Sequence, residues 1–296
     1  MSVQCPFCQR QNSSSDSRDV IVAHGTFFRK SDQTRQLRFR CKPCQKHFSL
    51  ATFSACYRQK KRHLNQRFYE EFVSGVSQRR TAFLLKVNRK TAIRKFIFLG
   101  LNAYHYFIED RKTHSPATEV EFDDLETFEH SKLKPLSVIA VVESGSRRIL
   151  GFRVARMPAK GLLVKRSLKK YGPRKDERKV QRQSLFTELQ PFIASEAVIK
   201  SDESPHYPSD VEKYFPNCLH KSYKGQRGCV VGQGELKGGG YDPLFSLNHS
   251  YAMFRANVNR IFRRTWNTTK KPERLSMHLA MYALYHNLFL IHHPAR

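Results

Sequence analysis

Acidic residues are scarce in this chain. Its 296 residues carry 25 Asp and Glu against 53 Lys and Arg, a formal charge of +28. Self-repulsion on that scale calls for a polyanionic partner, and nucleic acid is the commonest one. Long apolar runs are missing too. The best candidate, Leu279 to Ile291, is shorter than the ~18–20 residues a span needs and carries His286 and Asn287, so no membrane partner is expected. The opening MSVQCPFC has neither the basic nor the apolar part of a secretory signal, and the expected location is the cytoplasm, on the nucleoid. With 14 Gly and 13 Pro the composition excludes collagen-like and low-complexity chains, while 40% hydrophobic residues supply a real core. The length fits about two ordinary domains.

Cysteine is also sparse, and its count of seven is odd, which argues against a fully paired disulfide framework. Four of the seven form two C-x-x-C pairs, Cys5/Cys8 and Cys41/Cys44. Each pair sets two thiolates on a tight knuckle, as tetrahedral zinc requires, and the intervening VIVAHGTFF and QLRFRC read as strands. The expectation is a zinc ribbon over residues 1–55 that binds Zn²⁺ through these four cysteines. Cys56, Cys218 and Cys229 read as ordinary buried thiols.

Residues 60–108 follow a helical period. Phe68, Phe72 and Val76 recur at four-residue intervals, and Ala92, Ile93, Phe96 and Leu101 form a later apolar face. Turns at Ser74–Arg80 and Val87–Thr91, with Asn88 as a natural cap, divide the stretch into three short helices with the outline of a helix-turn-helix. Its DNA-contacting residues would be Gln78, Arg79, Arg80, Asn88, Arg89, Lys90, Arg94 and Lys95. A small helical bundle with a solvated basic face would show the same periodicity. The polar stretch 109–118 reads as a linker.

From Glu119 the pattern turns to strands. Alternation at Val120 and Phe122 is followed by the buried-strand run Leu136–Val142, then Ile149–Val154. A charged helical region spans 174–192, Ala197–Lys200 is a fourth strand, and a helix and a short strand lie at 209–214 and 218–220. The order βββαβαβ followed by α is that of an RNase H-like α/β fold over residues 119–296, a mixed sheet flanked by helices. In that topology the first and fourth strands end side by side, placing Asp123 and Asp202 within reach of shared Mg²⁺, a hard cation that prefers oxygen. Two ions about 3.5–4 Å apart would serve an in-line phosphodiester displacement. Either acid could instead cap a helix or pair with Arg.

The stretches Phe122–Phe128, Ser201-Asp202-Glu203 with Tyr207, and Leu247–Trp266 resemble the transposases of short bacterial insertion sequences, in the insertion-sequence-one group. The order of parts is similar over nearly the whole chain. The resemblance makes Asp123 and Asp202 the first two acids of a DDE-type triad and puts the third ligand on Asn248, where the usual residue is Glu. An amide carbonyl can still bind Mg²⁺ or Mn²⁺, but it contributes no charge. Glu235 competes for that role, and a third case, with neither residue acting, would mean an inactive copy. On the same helix and beyond it, Arg255, Arg263, Arg264, Lys270 and Lys271 would meet DNA backbone, and Met253, Ile261 and Trp266 would be core. The Gly-rich 223–245 loop reads as a DNA-contacting flap. It lacks the Lys-Ser/Thr ending of a P-loop. Leu275, Leu279, Tyr282 and Leu288 would close the core.

The implied function is a transposase that binds terminal inverted repeats, cleaves DNA 3′ ends and joins them to target DNA, working as a dimer or higher oligomer. The alternatives are a zinc-dependent DNA-binding regulator that no longer cuts, and an RNase H-like nuclease that hydrolyses without joining.

Overall fold

The computed structural model describes residues 3–10, 20–30, 33–224, 242–262 and 267–292. The chain divides into two compact units, Met1–Arg67 and Phe68–Arg296.

The first unit is built on β1 (Ile21–Arg29), β2 (Thr34–Cys41) and β3 (His47–Ser49), an antiparallel sheet in that order. The register of β1 on β2 slips between Ala23 and Thr26, where Gly25 takes a positive φ of 73° as a bulge requires. The core here is small: Cys5, Ile21, Cys41 and Phe48 are its buried apolar residues. A core of that size needs a further staple, and two of its four members are cysteines from the C-x-x-C pairs.

Three helices come next: α1 (Asn65–Val73), which begins in the last residues of the first unit, and α2 (Gln78–Leu84) and α3 (Arg89–Lys112) of the second. Ser77 caps α2, its hydroxyl accepting from Arg80 N–H, and Asn88 caps α3, its Oδ1 accepting from Lys90 N–H at 2.8 Å. The third helix is not short. It has 24 residues and runs into the polar stretch 109–118 as far as Lys112. Phe72 of α1 meets Phe96 of α3 at 5.2 Å between ring centroids, and Phe96 meets His278 at 5.4 Å.

A five-stranded mixed sheet follows. It comprises β4 (Ala117–Phe128), β5 (Pro135–Glu143), β6 (Ile149–Arg156), β7 (Ile193–Asp202) and β8 (Leu219–Tyr223), in the spatial order β6-β5-β4-β7-β8. The first three pair antiparallel, while β4–β7 and β7–β8 are parallel. This order and sense are consistent with an RNase H-like fold. Every residue of β5 from Leu136 to Val142 is buried, because the run LSVIAVV is apolar on both faces. On one face Val120, Phe122, Ile139 and Val141 pack with Leu185, Phe186 and Leu189 of α5 (Arg178–Leu189) and with Tyr207 and Val211 of α6 (Tyr207–Tyr214). The remaining helices are α4 (Val164–Tyr171), α7 (Phe245–Asn257) and α8 (Pro272–Tyr285).

Three sequence expectations need correction. The charged helical region begins only at Arg178, and α4 is a separate helix that its exposed Leu168 and Tyr171 left without a recognisable face. Leu288 does not close the core as Leu275, Leu279 and Tyr282 do. A π-helical turn at His286–Leu290 shifts the register, burying His286 and Asn287 and exposing Leu288. Cys56 and Cys218 are only half-buried, and Asn65 Nδ2 donates to Cys56 Sγ. Trp266 and Cys229 lie outside the described residues.

The α3–α8 packing depends on one missing side chain. A Cβ on Gly100 would lie 2.6 Å from Met277 Cβ, and helix backbones cannot yield as a flexible side-chain end can. Gly100→Val is expected to destabilise the fold by about 2–3 kcal/mol, read as a lower urea midpoint with an unchanged slope.

Candidate functional site

Strand β4 is paired with β5 along its length, from Val120↔Glu143 to Phe128↔Pro135. Its parallel pairing with β7 ends at Glu121↔Lys200, although both strands continue. The last residues of β7 pair with β8 instead, through Asp202↔Tyr223. Beyond Glu121 and Lys200 the two central strands therefore part. Counting equal steps from that last rung, Asp202 is level with Asp123 across the opening. Asp123 is the seventh of twelve residues in β4, so it sits in mid-strand rather than at the strand's end, and the end of β7 creates the gap beside it. Crevices of this kind, at the carboxyl ends of parallel strands, are where open α/β sheets receive ligands.

Asp202 disturbs Asp123. Burial, then the charge of Asp202, pushes the Asp123 carboxyl up to about 7. Asp202 is also raised, by burial first and then by Asp124 and Glu203. Neither Asp123, Asp124 nor Asp202 takes part in a salt bridge among the described residues. Their partners are hydroxyls and backbone. Tyr207 Oη lies 3.1 Å from both Asp123 Oδ1 and Asp124 Oδ2, and Ser137 Oγ donates to Asp124 Oδ1 at 2.7 Å. A phenol has one proton, so Tyr207 donates to one acid at a time. Its ring is fixed against Phe122, at 4.7 Å, and under the Arg182 guanidinium, at 4.9 Å. Arg182 is in turn held by Asp210 Oδ2.

Helix α7 is pinned across β4. Leu247 N–H donates to Glu121 Oε2 at 2.8 Å, and the Tyr251 hydroxyl donates to the backbone oxygen of Asp123. Asn248, three residues before Tyr251, lies on this anchored turn. Its Nδ2 donates to Asp242 Oδ2 at 3.1 Å, which leaves the amide oxygen as the free acceptor end of the group. The sequence reasoning named Tyr207 beside Asp202 but missed that its hydroxyl reaches Asp123 and Asp124, and missed Asp242 as the partner of Asn248. Adjacent strand residues normally face opposite sides, and Tyr207 lies 84 residues from Asp123. The acids supply oxygen donors and uncompensated negative charge, a set that fits a hard divalent cation. Their oxygens do not close to within 4.8 Å as a group of three. Glu235, Arg263 and Arg264 lie outside the described residues.

The cysteines do close. The sulfurs of Cys5, Cys8, Cys41 and Cys44 all lie within 4.8 Å of one another, with Cys5–Cys44 at 3.7 Å and Cys8–Cys41 at 3.6 Å. A tetrahedron with Zn–S bonds of about 2.3 Å has edges of about 3.8 Å, so the set could hold zinc with little movement. The knuckles turn through positive φ at Gln9 and Gln45, both 58°. Burial pushes the Cys41 thiol up to about 12; Cys5 is buried as well, yet backbone hydrogen bonds at Phe7 and Cys8 draw it down to about 7.

Of the expected DNA contacts, Arg79, Arg80, Asn88, Arg89, Lys90 and Arg94 are exposed and Gln78 is half-buried, at the starts of α2 and α3. Lys95 is a correction. It is 3% exposed, because it follows Ala92 by three residues and precedes Phe96, which puts it on the buried stripe of α3. Arg255, Lys270 and Lys271 are exposed, and Lys270 Nζ donates to Thr268 Oγ1. Ile261 is buried and Met253 half-buried.

Two measurements follow. Purified protein is expected to carry one zinc ion per chain by elemental analysis, and Cys41→Ser to lose it together with the cooperative unfolding of the first unit. The Asp123 carboxyl is higher in the folded chain than in the unfolded one, so the stability it contributes is complete below about pH 4 and is lost as pH rises through 7. Asp123→Asn should accordingly stabilise the protein at pH 8 in Mg²⁺-free buffer, on the order of 2–4 kcal/mol, with the gain shrinking towards pH 4. Urea unfolding at several pH values checks this.

The sequence matches no protein-family model and no curated protein. Among solved structures, the catalytic domain of the Mos1 mariner transposase is similar at 13% identity with a TM-score of 0.22, over 64% of this chain and 90% of that one. At that score the likeness carries no weight for function.

Proposed function

We propose that this protein is a DNA transposase that cleaves DNA 3′ ends and joins them to target DNA, with Asp123, Asp202 and Asn248 as ligands of catalytic Mg²⁺. The observation that carries this reading is the opening between β4 and β7. It sets Asp123 level with Asp202, with no salt bridge to either among the described residues, in a chain of charge +28. Acids left unpaired in so basic a chain are best accounted for by a divalent cation, and the surrounding positive charge by a phosphodiester substrate. Mg²⁺ or Mn²⁺ bound there would polarise the phosphate and lower the pKa of the attacking hydroxyl.

The chain's own residues orient that site. Tyr207 lies within reach of the Asp123 and Asp124 carboxyls and donates to one of them at a time, the Tyr251 bond to the Asp123 backbone sets α7 against β4, and Asp242 takes up the Asn248 amide nitrogen, leaving its oxygen as the acceptor. In the first step water attacks the phosphodiester at the element's end, and a 3′-OH leaves. In the second that 3′-OH attacks a target phosphodiester, so one P–O bond forms as another breaks. The cysteine unit, as a zinc ribbon, and α1–α3, as a helix-turn-helix entering the major groove at Asn88, Arg89, Lys90 and Arg94, would select the terminal inverted repeats. Pairing two ends calls for a dimer or higher oligomer on DNA.

One observation favours a second reading. Asn248 brings no negative charge to the site, as expected of a descendant that binds DNA without cutting it. The two are separated by Mg²⁺-dependent nicking of supercoiled DNA. Asp123→Ala and Asp202→Ala are expected to reduce nicking at least 10³-fold while sparing duplex retention in a gel shift, and Asn248→Ala to reduce it where Asn248→Asp does not. Nicking that survives either aspartate substitution overturns the assignment. Strand-transfer products in the same gel distinguish a transposase from a hydrolytic nuclease.

A further inference from the structure

A cavity of about 340 Å³ lies at the end of β4, lined by Glu126, Thr127 and Phe128 of that strand and by Arg255 of α7. Phe128, Met157, Leu163 and Ile261 give it an apolar floor, and Lys132, Lys160 and Arg255 a cationic rim. Glu126 is the one acid in its lining and is already bound by Lys160 at 2.5 Å, so the rim keeps an excess of positive charge. The volume is at the small end of ligand pockets, ~300–1,000 Å³, and cannot admit a duplex.

We propose that this cavity is a nucleotide subsite, taking one unstacked base of the DNA strand on its apolar floor and the flanking phosphates on Lys132, Lys160 and Arg255. The proposal deepens the reading of the neighbouring acids as a phosphodiester-cleaving site and rests on it. Position supports it twice over. Along β4, Thr127 lies on the face of Asp123, four residues beyond it, ~13 Å at a strand's rise. Along α7, Arg255 follows Asn248 by seven residues, two turns on the same face and ~10 Å. The two routes place the cavity about three to four base steps of ~3.4 Å from Asp123 and Asn248. An apolar floor with a cationic rim suits a nucleotide in both of its parts, because the π-face of any base is tolerated and the phosphates meet Lys and Arg. An apolar peptide would leave the net positive charge of the rim unused, and a bare phosphate would leave the floor uncovered.

The test uses the full chain and two single-stranded probes of equal length: hexathymidylate, and the same strand with abasic sugars throughout. Wild type is expected to bind the thymidylate strand about tenfold more tightly, and Leu163→Ala to narrow that ratio to threefold or less. Lys132→Ala and Arg255→Ala are expected to weaken both probes together and to lower the salt slope by about 0.7 each. Circular dichroism matching wild type shows that the variants fold. A base-to-abasic ratio unchanged by Leu163→Ala overturns the proposal, as does a salt slope unchanged by both cation substitutions. Equal affinity of wild type for the two probes would mean a phosphate contact only and overturns it as well. The Asp123→Ala nicking assay decides the underlying reading separately, so failure of the subsite and failure of the catalytic assignment are told apart.

Discussion

The repulsion between carboxyl groups held in the gap between β4 and β7 is the constraint around which the second unit is arranged. The charge of half-buried Asp202 opposes ionisation of Asp123, and neither acid takes part in a salt bridge among the described residues. The chain opposes that cost with rigid surroundings. Phe122, Phe186 and Arg182 fix the Tyr207 ring, Asp210 fixes Arg182, and Glu121 anchors the start of α7 through Leu247 N–H. Each of these contacts is ordinary packing or hydrogen bonding. Together they fix Tyr207 and the start of α7 beside Asp123, and a cleft that holds a carboxyl with so perturbed a pKa is a candidate for chemistry.

Most other acids of this unit have a different task. Glu129 is held by Lys134 and Arg174, Glu188 by Arg111 and Arg153, and Glu177 by Arg156, each joining elements distant in sequence. In a chain with twice as many cations as acids, finding a partner is easy for any carboxylate. That Asp123, Asp124 and Asp202 form no salt bridge among the described residues, with Arg178 reaching Asp124 only through its field, is therefore a property of their placement rather than of composition. The excess cations remain on the surface, where Arg79, Arg80, Arg89 and Lys90 cluster at helix starts and where Lys132, Lys160 and Arg255 rim the cavity.

Much of the architecture was legible in the residues. The runs at 136–142, 149–154 and 197–200 lie within strands, and the caps at Ser77 and Asn88 start helices, because apolar period and capping chemistry act over a few neighbouring residues. The two C-x-x-C pairs were legible as one cluster because a knuckle of four residues has few conformations. Less legible were α4, whose apolar side chains are exposed, and the end of α8, where a single π-turn moves Leu288 out of the core.

Sequence by itself determined which residues are candidates for chemistry: four thiols in two tight pairs, two aspartates beside apolar strands, and an amide where an acid was expected. Tertiary structure decided which of them meet. Pairing of β4 and β7 stops at Glu121 and Lys200, the Tyr207 hydroxyl reaches Asp123 from 84 residues away, and Asp242 turns the Asn248 amide. Periodicity describes the faces of one element relative to itself. The gap, the shared hydroxyl and the buried Lys95 depend on register between segments far apart in the chain, which only the packed core specifies.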